Sequence, residues 1–141
     1  MILVDANLLI YAFRAELPQH QQVKEWLEGV RAGESVFIHP LVGAAFLRLT
    51  TKALGPLPPA PIRKSITFLE ALQPSTGPAL TETSTHLQTV LRQAEGLGLA
   101  GDQSADLWLA AFALTNGLAV ASADRGFARF PGLRWINPLA G

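Results

Sequence analysis

The chain opens on four apolar residues, Met1-Ile-Leu-Val4, that run without polar alternation into Asp5 and Asn7. A strand that is apolar on both faces suits the centre of a parallel sheet covered by helices on both sides. Asp5 then stands where that strand ends. Residues 6–14 read as a short helix. Residues 18–31 read as a second, with Pro18 near its first turn, Val23, Trp26, Leu27 and Val30 spaced for one face, and Gly33 as its stop. Ser35-Val-Phe-Ile38 reads as a strand, and Pro40 opens a helix that runs through Leu54. Gly55-Pro-Leu-Pro-Pro-Ala-Pro61 is a rigid loop that no regular element crosses. A helix at 61–72 follows, then a short strand near 77–80 and a helix from Thr81 to about Leu97. Asp102 to Asn116 is a further helix, with Gly117 as its C-cap. Leu118-Ala-Val-Ala-Ser122 is a strand, a helical turn follows Asp124, and Leu133-Arg-Trp-Ile136 is an edge strand. Strands alternate with helices, so the pattern predicts an α/β fold with a mainly parallel sheet, in one domain spanning 1–141.

Composition narrows this picture. The chain is 49% hydrophobic and 16% charged, enough apolar matter for a packed core. Its apolar runs are too short to span a bilayer, so no membrane partner is expected. The start does not read as a signal peptide, because it lacks a basic region and Asp5 interrupts the apolar run. The absence of cysteine excludes disulfides and thiolate metal sites, and fits a cytoplasmic protein. Eleven basic and eleven acidic residues cancel, so nucleic-acid binding has to come from a local patch. Two stretches are purely basic. One, between Glu34 and Glu70, holds Arg48, Lys52, Arg63 and Lys64; the other, after Asp124, holds Arg125, Arg129 and Arg134. Ordinary solvated surface is the competing reading for both.

The four aspartates carry the chemistry. Asp5 and Asp124 follow two strands at their carboxyl ends, where open α/β sheets bind ligands. Asp106 lies in the first turns of the helix feeding the second of these strands, and Asp102 is one turn earlier. Parallel topology can bring Asp5, Asp106 and Asp124 to one sheet edge. Two carboxylates about 4 Å apart repel by roughly 4 kcal/mol at an effective dielectric near 20. Such a cluster holds a proton or a divalent cation. Hard oxygen donors without cysteine or paired histidine suit Mg²⁺ or Mn²⁺, and such a centre hydrolyses phosphodiesters by activating water. Each acid also has a plainer role: Asp5 and Asp102 as helix N-caps, Asp106 as a dipole partner, Asp124 in a turn with Gly126. A phosphatase using Asp5 as nucleophile fits less well, because Asn7 stands where a second acid would be expected.

Four segments resemble the PIN-domain ribonucleases, and among them the VapC-type toxins of bacterial toxin–antitoxin pairs. They are Met1-Ile-Leu-Val-Asp5-Ala-Asn7-Leu-Leu-Ile-Tyr11, Phe46-Leu-Arg48-Leu-Thr-Thr51, Asp106-Leu-Trp-Leu-Ala-Ala111 followed by Gly117, and Ser122-Ala-Asp124-Arg-Gly-Phe127-Ala-Arg-Phe130-Pro-Gly-Leu133. The likeness runs over essentially the whole chain. It implies a three-layer α/β/α sandwich, Mg²⁺- or Mn²⁺-dependent endoribonuclease activity as the toxin of a type II pair, a homodimer, and inhibition by an antitoxin protein. By the same resemblance Asp5, Asp106 and Asp124 hold the metal, with Asp102 as a further candidate ligand. Asn7 and Ser122 match supporting polar positions, Ser122 replacing the commoner Thr. The family places a Glu on the helix before Phe46, at position 43 or 45, where this chain has Gly43 and Ala45. It often has another Asp where this chain has Gly126. Three matched acids remain, and the alternative they leave is a catalytically weak or inactive PIN-fold protein that binds RNA or antitoxin.

Arg48 and Lys52, one turn apart on the predicted helix, and Arg125, together with the similar Arg129, are candidate contacts to RNA or antitoxin. His20, His39 and His86 lack a ligand spacing and read as structural. Trp26 and Trp108 fit apolar helical faces, and Trp135 reads as a sheet-packing residue.

Overall fold

The computed structural model describes residues 1–73, 84–98 and 101–140; the side chains of 84–86 and of Asp102 fall outside that description. Its four strands, β1 (Ile2–Val4), β2 (Val36–Phe37), β3 (Ala119–Ala121) and β4 (Trp135–Ile136), form an all-parallel sheet in the order β2-β1-β3-β4. The apolar opening run is therefore the sheet's interior. β1 pairs with β2 through Ile2↔Val36 and with β3 through Leu3↔Val120. Ile2, Leu3 and Val4 are buried, as a strand covered on both faces requires. β4 is an edge strand, as expected.

Six helices flank the sheet among the described residues: α1 (Ala6–Phe13), α2 (His20–Gly33), α3 (Pro40–Thr50), α4 (Ile62–Leu72), α5 (Ser84–Leu97) and α6 (Ser104–Asn116). α1 packs on α2 and α3, α3 on α4, and α5 on α6. α6 is apolar round most of its circumference, and buries Leu107 and the run Leu109 to Phe112. Gly117 ends it at φ +66°, where its N–H reaches the carbonyls of Ala113 and Leu114. This is the parallel-sheet α/β fold the pattern predicts, in the α/β/α arrangement the resemblance implies. None of the described helices is long and apolar enough to cross a membrane.

Several boundaries move, each for a local reason. α2 begins at His20, and Pro18 lies in the preceding turn. His20 Nδ1 lies 2.9 Å from the Tyr11 carbonyl oxygen, which ties the start of α2 to α1. Gly33 stays inside α2, whose cap is the extended Glu34. α3 stops at Thr50 rather than Leu54. Thr50 and Thr51 turn their hydroxyls back onto the carbonyls of Phe46 and Leu47, and Leu54 pairs with Leu57 in a small antiparallel bridge. α6 starts at Ser104, and Asp102 sits before it in a 3₁₀ turn over Gly101–Gln103. The strand expected near 77–80 and the helix start at Thr81 lie outside the described residues.

Two buried polar residues fix the frame around α3. His39 caps its N-terminus, with Nδ1 accepting from the Leu41 amide at 3.1 Å, and its ring packs edge-on against Phe112 of α6. Arg14 donates to the carbonyls of Thr50 at 3.0 Å and Pro58 at 2.9 Å, so a buried cation sits at the C-terminus of α3 and pins the proline loop. Thr50 and Ser65 share a buried hydrogen bond of 2.8 Å between α3 and α4. Arg14→Ala strips two carbonyls of a charged donor and leaves a gap in the core. We expect urea unfolding to show a loss of about 2–4 kcal/mol, whereas an exposed change such as Arg48→Ala stays within about 0.5 kcal/mol.

Candidate active site

Asp5, the residue after β1, keeps extended backbone and caps α1, its Oδ1 accepting from the Ala6 amide at 2.7 Å. Its Oδ2 accepts from Ser122 Oγ at 2.7 Å and from Asn7 Nδ2 at 3.0 Å. The capping role and the site role thus coincide in one side chain. Ser122, fully buried after β3, uses the same hydroxyl oxygen to accept from Asn7 Nδ2 at 3.1 Å and from the Asp124 amide at 3.0 Å. Asn7 Oδ1 accepts from the Ala123 amide at 3.2 Å. The two strand ends, more than a hundred residues apart in sequence, are stitched together around one carboxylate.

Asp124 caps the 3₁₀ turn Arg125–Arg129, its Oδ1 accepting from the Gly126 amide at 2.7 Å. Asp106, in the first turn of α6, lies close enough to Asp124 to feel its charge. Burial, then the charges of Asp124 and Asp5, push Asp106 up to about 6, while Arg129 pulls it partly back. Burial raises Asp5 as well; hydrogen bonds from Ser122 and Ala6 oppose it, and Asp124 adds to it.

The structure therefore gathers Asp5, Asp106 and Asp124, with Asn7 and Ser122 as their scaffold. The remaining candidates form no such network among the described residues. The Asp102 side chain lies outside the described residues, and the N-cap position of α6 belongs to Gln103, not Asp102. Lys52 falls beyond the end of α3, so Arg48 and Lys52 do not share a helix. Both are exposed, as is Arg125. Position 43 is open: a Cβ built on Gly43 meets only Ile38 Cγ2, at 4.0 Å. Trp135 does more than pack the sheet. Its indole N–H donates to the Ser122 carbonyl at 3.0 Å, which anchors the serine from the edge strand. A half-buried indole N–H needs an acceptor, and that need is visible in the sequence, but the identity of the acceptor is not.

No group of three His, Cys, Asp or Glu side chains among the described residues converges tightly enough to hold a metal ion as it stands. The chemistry of the donor set still fits a hard divalent cation. Burial and the neighbouring charges raise the proton affinity of Asp5 and Asp106, and a cation can take the place of a proton there.

The PIN-domain family matches residues 2–133 of the chain. The chain is 37% identical over 141 residues to ribonuclease VapC31 of Mycobacterium tuberculosis, covering 98% of this chain and 99% of that one. It is 36% identical to ribonuclease VapC25 of the same organism, with the same coverage. In fold it resembles a chain from the crystal structure of VapBC2 from Rickettsia felis bound to a DNA fragment from their promoter, with a TM-score of 0.68 and 17% identity over 97% of this chain and 98% of that chain. A chain of FitAcB from Neisseria gonorrhoeae superposes with a TM-score of 0.65 and 21% identity over the full length of both.

The raised acids set a pH dependence. An aspartate in the unfolded chain titrates near ~3.9. Asp106 and Asp5 hold their protons more tightly in the folded state, so ionising them costs folding energy. The unfavourable contribution of Asp106 is absent below about pH 4, grows as pH rises towards 6 and persists above it, and Asp5 adds to it in the same direction. Solvent screening at the half-buried Asp106 keeps its share modest. In EDTA, the melting temperature is expected to fall between pH 4.5 and 7, and Asp106→Asn to flatten that fall. An unchanged slope in the variant would contradict the assignment.

Proposed function

The chain belongs to the PIN-domain family, and on that premise we propose that it is a Mg²⁺- or Mn²⁺-dependent endoribonuclease, the toxin of a type II toxin–antitoxin pair. One observation carries the chemical part: three carboxylates meet at the carboxyl edge of a parallel sheet, Asp5 and Asp124 held by hydrogen bonds from Asn7, Ser122 and backbone amides, and Asp106 brought there by α6. Near-full-length relatives named as ribonucleases support cleavage over a binding-only role despite Gly43 and Ala45. The resemblance in fold to chains of VapBC2 and FitAcB supports an antitoxin partner. A homodimer and a cytoplasmic setting remain part of the same reading.

Asp5, Asp106 and Asp124 would hold the cation. When bound, it supplies Lewis-acid stabilisation of the charge that develops on a phosphodiester and lowers the pKa of water. The chain's own residues do the rest. Ser122 and Asn7 donate to Asp5 Oδ2 and the Ala6 amide holds Oδ1, so this carboxylate cannot swing. The Gly126 amide holds Asp124 in the same way. Asp106, raised to about 6, sheds its proton as pH passes that value and then presents a carboxylate to a cation.

Titrating Mg²⁺ and Mn²⁺ into wild type with structured RNAs is expected to produce cleavage, and Asp5→Asn to abolish it by roughly 100-fold or more, beyond the 10–100-fold typical of residues that only support a metal ligand. Asn7→Ala should fall within that smaller range. Mn²⁺ at pH 7.5 should also raise the melting temperature of wild type but not of Asp5→Asn. A folded wild type that neither cleaves nor responds to the metal would overturn the proposal.

A further inference from the structure

Arg125 and Arg129 look alike in sequence, but the fold treats them differently. Arg125 is exposed and makes no hydrogen bond or ion pair among the described residues. Arg129 folds back over its own turn: its Nε donates to the Gly126 carbonyl at 2.8 Å. The point where a Cβ on residue 126 would stand lies 2.9 Å from Arg129 Nη2 and 3.0 Å from Asp124 Oδ1. The guanidinium therefore occupies room that exists because residue 126 is glycine, and it does so beside the carboxylates.

This cation does not neutralise the acids by contact. No ion pair between Arg129 and an acid forms among the described residues; the pairs found there are Met1–Glu34, Lys24–Glu28 and Arg134–Glu34. Its charge still reaches Asp106 through space. Arginine carries five donors in a planar fork. One is spent on the backbone, which fixes the plane, and the terminal nitrogens stay open towards solvent at the rim of the site. A fork oriented in this way, next to a centre that repels anions, matches a non-bridging pair of phosphate oxygens.

We propose that Arg129, held over Gly126, is a substrate-binding residue that clamps an RNA phosphate at the carboxylate centre. The inference rests on the ribonuclease reading and adds the group that draws a polyanion to an acidic site. The placement explains how a chain with no net charge can bring phosphate to three acids without a broad basic surface. It also assigns Gly126 a purpose, since any side chain there must displace the guanidinium.

The test separates binding from turnover. Binding of a fluorescein-labelled, single-stranded 12-nucleotide RNA is measured by anisotropy in EDTA, across a salt series, for the full chain. Arg129→Gln is expected to weaken binding by roughly 10-fold and to lower the salt slope by about one, with an unchanged melting temperature. Arg129→Lys should recover part of the affinity, and Arg125→Gln should leave both readouts near wild type. Gly126→Ala, which removes no charge, should resemble Arg129→Gln if the clamp depends on placement. Cleavage is then measured in Mn²⁺ with the same variants, and a KM effect larger than the kcat effect is expected for Arg129→Gln. Wild-type affinity and salt slope in a folded Arg129→Gln, with wild type cleaving RNA, would overturn the clamp alone. A wild type that neither binds nor cleaves RNA would overturn the ribonuclease reading and the clamp with it.

Discussion

Everything at the carboxyl edge of the sheet depends on how the Asp5 carboxylate is held. A buried carboxylate is costly unless donors surround it. Here both oxygens are served: one by the Ala6 amide, the other by Ser122 and Asn7. Ser122 comes from the far end of the chain, so the bond forms only when β3 lies in register beside β1. The same hydroxyl takes the Asp124 amide, and the Trp135 indole fixes the Ser122 carbonyl. Acid, serine, asparagine and tryptophan thus form a joint between three strands. Local capping of α1 and the assembly of the site are one set of hydrogen bonds.

Asp106 and Asp124 follow a different logic. Their proximity is unfavourable when both are ionised: burial and then the charge of Asp124 raise Asp106 to about 6. α6 can impose this because its apolar circumference leaves it little freedom. With Leu107 and the run Leu109 to Phe112 buried, the first turn of the helix must project at the strand ends. Packing energy from an apolar helix is what keeps like charges together, the usual way strain is stored at a functional site.

The frame behind the site is secured by polar groups that play no part in the chemistry. His39 joins the start of α3 to Phe112 of α6, and Arg14 joins the end of α3 to the proline loop. Such residues are exposed in most proteins, and their burial here follows from the backbone carbonyls and amides they satisfy.

The sequence by itself determined the alternation of strands and helices, the central place of Met1 to Val4, the αL stop at Gly117 and the position of Asp5 and Asp124 just beyond two strand ends. These follow from short-range rules: unbroken apolar runs make interior strands, glycine relieves a positive φ, and acids after such strands fall at one edge. Helix ends were less legible, because Thr50, Thr51 and the Leu54–Leu57 bridge compete with α3 through contacts the apolar period does not encode. Asp102 looked like a cap by type, yet α6 takes Gln103 in that position. Only the tertiary structure decided that Ser122 and Asn7 share Asp5, that Trp135 holds Ser122, that Arg14 is buried, and that Arg129 rather than Arg125 turns over Gly126. Each is a choice among chemically equivalent donors. Distance and burial make that choice, and both exist only once distant segments have packed.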